Sequence, residues 1–216
     1  MNVSVTSAPA RTDATTAAVD GSGERLPLEA VRRHGLAVAA GAAVYSAASF
    51  AYGFTPDSSF GITVTDLAGF TFQLGVLSLV QLQLETRATG LSRKAAGFLK
   101  VERVLLGLAM VWSLVHGLVP SARDDAWLVA LDAFWPLSML GMFAIGVKIA
   151  FAGRWRGVAR FYPMVAESWA VVSIPSIVVL GATAGELVAA AHFLVGYLTL
   201  GLIIAARPQL VVPEQR

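Results

Sequence analysis

The sequence predicts an all-α, polytopic integral membrane protein: a six-transmembrane-helix bundle with both termini in the cytoplasm. Three observations predict it. Six apolar stretches are each long enough to cross the hydrocarbon core of a bilayer, which takes roughly 20 residues at about 1.5 Å per residue. Fifteen of the sixteen Lys and Arg residues fall on one side once those stretches are threaded alternately through a membrane; a buried soluble helix has no reason to sort its flanking cations in this way. The composition, 56% hydrophobic and 14% charged with a mean hydropathy of +0.68, lies well outside the balance of a soluble globular domain.

The elements follow in chain order. Residues 1–34 read as a polar cytoplasmic tail, rich in Ser, Thr, Ala and Gly from Thr6 to Ser22, and are expected to be disordered. No cleavable signal is expected there, because the stretch lacks an apolar run. The membrane domain occupies residues 35–206, with spans Gly35 to Phe54, Phe60 to Leu84, Val101 to Val119, Trp127 to Phe151, Pro163 to Gly181 and Leu187 to Ala205. Pro136 and Pro175 are expected to bend the fourth and fifth. Residues 207–216 form a short cytoplasmic tail.

The cations set the orientation. Arg11, Arg25, Arg32 and Arg33 precede the first span. Arg87, Arg93, Lys94, Lys100 and Arg103 lie between the second and third, Lys148, Arg154, Arg156 and Arg160 at the end of the fourth and after it, and Arg207 and Arg216 near the end of the chain. Arg123 alone lies in the opposite loops, beside Asp124 and Asp125. Cations follow the cytoplasmic side, so both termini are read as cytoplasmic. Thirteen Arg against three Lys in an Ala-rich chain point to a bacterial source of high GC content, and hence to the plasma membrane.

Several function classes are excluded or disfavoured. The net charge of +2 resides in loop flanks that suit anionic headgroups, so nucleic-acid binding is rejected. The absence of Cys removes disulfides, thiolate metal sites and Cys nucleophiles. No Walker loop, His-Glu-x-x-His pair, nucleophile elbow or dinucleotide fingerprint is present, which disfavours an enzyme. The opposite loops are short, so chemistry must sit between helices.

Small and polar stripes at helical spacing mark the faces expected to pack inward. Ala42, Tyr45, Ser49 and Tyr52 share one face of the first span, and Gly185, Ala189, His192, Gly196 and Thr199 one face of the sixth. Asp66, Gly69 and Gln73 line the second; Glu102, Leu105, Ala109, Trp112 and His116 line the third. A charge facing lipid costs at least ~2.5 kcal/mol, so Asp66 and Asp132 should face the interior. With His116 and His192 they form the candidate intramembrane polar cluster, four groups from four helices in the outer half of the bundle. Gln73, Trp112, Trp135 and Glu167 are secondary candidates, the last set against Arg156 and Arg160 near the cytoplasmic boundary.

These residues suit hydrogen bonding between helices more readily than chemistry. Where they carry a function, a small-molecule or ion binding and transport module with an outward polar cavity is the first reading. An accessory protein that meets a partner or a second copy of itself through its basic inner loops and tail is the alternative. A membrane-embedded redox or metal enzyme comes last. No catalytic residue and no cofactor is assigned; a divalent metal at the His and carboxylate cluster, and a haem held between His116 and His192, are the two that these residue types admit.

Overall fold

The computed structural model describes residues 18–19 and 25–212, so most of the tail expected to be disordered lies outside the described residues. Apart from a two-residue pairing of Ala18–Val19 with Arg25–Leu26, the described chain is helix and connecting turn. Four helical stretches are long and apolar enough to cross a membrane, and a bent pair makes a fifth when taken as one span.

Helix α1 (Leu28–Tyr52) begins seven residues before Gly35, because Arg32, Arg33 and His34 continue the helix as its first turns. Helix α2 (Ser59–Glu85) follows a loop closed by Ser58, whose hydroxyl accepts from the Gly61 amide at 3.1 Å. Helix α3 (Arg93–Leu118) is capped in the same way by Ser92, at 3.1 Å from the Ala95 amide. It starts eight residues before Val101, and five of its first eleven residues are charged; this is the helix that falls outside the set of candidate spans.

The fourth expected span is helix α4 (Ala126–Asp132) followed at Ala133 by helix α5 (Phe134–Ala152). Pro136 has no N–H to give the Asp132 carbonyl, which accounts for the interruption one turn before it. The fifth is helix α6 (Gly157–Glu167) and helix α7 (Trp169–Leu180), meeting at 42°. That bend falls at Ser168, seven residues before Pro175, so the proline singled out for it does not lie at the bend. The sixth is helix α8 (Ala182–Phe193), a π-helical turn over Leu194–Leu198 and helix α9 (Thr199–Ala206). The Thr199 hydroxyl donates to the Leu194 carbonyl at 3.0 Å, filling the widened turn.

The helices close into a ring. Helix α1 packs on α2, α2 on α3, α3 on α5, α5 on α6, α6 on the π turn and α9, and α9 back on α1, while α7 pairs with α8. Bare backbone makes the tightest seams possible. A methyl group on Gly201 would come within 2.5 Å of the Gly35 carbonyl oxygen, and one on Gly75 within 2.8 Å of the Ala37 carbonyl oxygen. Inside the ring, Phe72 stacks on Tyr45 at 5.6 Å and meets Phe193 and Tyr197 edge-on at 4.9 and 4.8 Å, geometries that suit the ring quadrupoles. Tyr52, expected to face inward with Tyr45, is 40% exposed.

The connections gather at two ends. At the basic end the Trp155 indole, fully buried, donates to the Thr86 hydroxyl at 3.0 Å, and the Arg156 amide donates to the Leu210 carbonyl at 2.8 Å. There, burial together with the neighbouring Arg87 holds the Arg154 guanidinium below its usual range. At the acidic end the Arg123 guanidinium donates to Ser59 at 3.0 Å, and Glu186 accepts from the Phe54 amide at 3.4 Å.

Candidate functional site: an acidic, aromatic cavity at one end of the bundle

A cavity of about 300 Å³ opens at the acidic end between α1, α2, α3, α4, α5, α7 and α8. Its size is at the lower end of the range that holds small ligands. Asp66 of α2 and Asp132, the last residue of α4, both line it, and Glu186 of α8 joins them. The walls are aromatic: Trp112 of α3, Trp135 of α5 and Trp169 of α7, with Tyr45 and Phe54 from α1 and the loop after it.

Asp66 reaches this position because α2 and α3 pack without a side chain between them. Gly117 stands opposite, where a methyl group would lie 3.0 Å from the Asp66 Cβ. Asp66 Oδ2 and His116 Nδ1 are 2.7 Å apart, and the imidazole stacks on the Trp112 ring at 4.6 Å and 14°. His116 therefore stands behind Asp66, outside the cavity lining, and orients both the carboxyl and the indole. The Arg123 guanidinium donates instead to the His116 carbonyl at 2.8 Å, to Ser59, and to the Thr63 hydroxyl at 3.2 Å. The one cation of the acidic-end loops is thus spent on hydroxyls and backbone.

The four residues grouped by the sequence do not all meet. Asp66, His116 and Asp132 are brought together; His192 is not. Its Nε2 lies 3.2 Å from the Val165 carbonyl of α6, and it does not line the cavity. His116 and His192, the pair that a haem would need, are thus engaged by unrelated partners in different places. No group of three His, Asp or Glu suited to a metal ion exists among the described residues. Of the secondary candidates, Trp112 and Trp135 wall the cavity, while Gln73 lies deeper, in a cleft below Trp135 that also contains Ser138.

Glu167 belongs to another neighbourhood. It is 1% exposed and accepts a hydrogen bond from the Tyr197 hydroxyl, rather than pairing with Arg156 or Arg160. Arg160 donates to the Ala150 carbonyl at 2.7 Å and lies over the Phe161 ring. Glu102, 2% exposed, accepts from the Ser138 hydroxyl and occupies the space left by the missing side chain of Gly141.

Several lining residues fall outside the sequence reading of the site, Thr65, Ser113, Phe54 and Trp169 among them. Thr65 and Ser113 adjoin Asp66 and Trp112 in sequence, and the spacing of three from Ser113 to His116 places both on one helix face, a signal that was available. Phe54 and Trp169 had none, since a loop and the bend at Ser168 deliver them. No protein family, curated protein or solved structure matches this chain.

Proposed function

We propose that the chain is a six-span plasma-membrane protein, both termini cytoplasmic, that binds or transports a small molecule or ion in the cavity at its acidic end. The observation that carries the reading is that Asp66, Asp132 and Glu186 line one cavity within a bundle of mostly apolar helices. Ionisable groups at membrane depth are costly, and their usual return is a substrate or ion pathway. In this reading α3 is the sixth span: its charged first turns lie at the basic end among anionic headgroups, and only its apolar remainder crosses the hydrocarbon. The cavity then faces outward.

Flux or binding across a panel of radiolabelled solutes and ions, measured with the reconstituted protein, tests this. Asp66→Asn combined with Asp132→Asn abolishes the activity found for the wild type while the helical circular-dichroism spectrum is retained. Unchanged flux and binding of every solute in the doubly substituted, folded protein would refute the reading.

A further inference from the structure

The chemistry of the cavity wall goes further than the presence of a cavity. Its ionisable lining consists of three carboxyls and the Tyr45 phenol, with no Lys, Arg or His among the lining residues. His116 engages Oδ2 of Asp66. Three indoles, those of Trp112, Trp135 and Trp169, line the same cavity. Indole is the aromatic side chain that attracts a cation most strongly, and the attraction grows as water is excluded.

Two further groups point to an occupant with hydrogens to donate. Thr65, 5% exposed, and Ser113, 1% exposed, line the same cavity, and their buried hydroxyls have no hydrogen-bond partner among the described residues. A buried hydroxyl without a partner costs free energy, so such groups normally meet one. Both oxygens can accept an N–H.

We propose that the cavity binds a small organic cation, a protonated amine whose ammonium group meets the carboxyls of the lining, donates to Thr65 and Ser113, and rests against the indoles. This deepens the proposed function and rests on it. An anion is disfavoured by the carboxyls, and a neutral solute makes no use of their charge. A bare metal ion makes no use of the indole walls and lacks the three-ligand grouping.

The test is a charge series on one ring, followed by titration calorimetry of the detergent-purified full chain. Benzylammonium, benzyl alcohol and benzoate differ in charge at nearly constant shape. Benzylammonium is expected to bind about tenfold or more tightly than the alcohol, a difference of about 1.4 kcal/mol, with benzoate weakest. Asp66→Asn and Trp135→Leu should each weaken benzylammonium while leaving the alcohol within about twofold.

If the alcohol or benzoate binds as well as the amine, or if no member of the series binds the folded wild-type protein, the amine proposal is overturned. The proposed function then still stands wherever another solute depends on Asp66 and Asp132. The wild-type series alone decides the matter should a substituted chain fail to fold.

Discussion

Glu167 takes two carboxyl oxygens into a fully enclosed part of the bundle and meets one donor, the Tyr197 hydroxyl; its Oε1 has no hydrogen-bond partner. Removing that donor leaves the whole carboxyl without a partner in a place water does not reach. Tyr197→Phe is therefore expected to destabilise the protein by roughly 1–2 kcal/mol. Glu167→Gln keeps an acceptor for the phenol and should cost less. Thermal unfolding of the two variants in one detergent orders them, and the reverse order would show that the pair contributes nothing.

How residues of this kind were legible depends on what their positions require. Asp66 and Asp132 could be directed inward from sequence because lipid penalises a charge whatever its neighbours. Their partners could not, since partnership depends on which helices touch. His116 and His192 each sit on a face expected to pack inward, yet one meets Asp66 across the α2–α3 seam and the other meets a backbone carbonyl of α6.

At the scale of elements, the seams are set by missing side chains. Gly35 and Gly201 let α1 and α9 touch backbone to backbone, and a Cβ at Gly201 would sit 2.5 Å from the Ala39 amide nitrogen. No flexible side chain is there to give way. Gly201→Ala should force the helices apart and cost about 1–3 kcal/mol, the usual penalty for overpacking. Gly107 of α3 provides the contrast, with nothing within 4 Å of an added methyl. Gly107→Ala is expected to be neutral or to stabilise by up to ~1 kcal/mol through helix propensity. Equal effects of the two substitutions on unfolding temperature would argue against the seam.

The same contrast explains which elements sequence could supply. The cores of four of the six expected spans recur as candidate spans, and a fifth does when the bent pair is taken as one, because length and apolarity fix them locally. The bend between α6 and α7, and the π turn before α9, have no signature in composition. Both arise where tertiary packing demands them: Gly196 in the π turn lies against the Ala166 backbone, where a methyl would approach the Cα to 2.9 Å. Trp169, just past the bend, enters the cavity wall only because α7 changes direction.

For the whole molecule, the governing feature is polarity divided between two ends and apolarity around the girth. Phe151, Val178 and Val179 are 82%, 79% and 78% exposed, which water would penalise and acyl chains accept. The basic loops meet at one end through Thr86, Trp155, Arg156 and Leu210, and the acidic cavity occupies the other. Charge sorting in the sequence anticipated this division without knowledge of the helix order, because loops alternate between ends in any chain of antiparallel neighbours. The ring that α1 closes with α9 was beyond it.

Site-directed labelling tests the central claim most directly, and the absence of Cys from the native chain gives a clean background. Asp124 and Lys94, both exposed, mark the acidic and basic ends. In intact cells a membrane-impermeant maleimide should label Asp124→Cys and spare Lys94→Cys, which should react only after permeabilisation. Labelling of both positions in intact cells, or of Lys94→Cys alone, would contradict a membrane-spanning bundle with its cavity facing out.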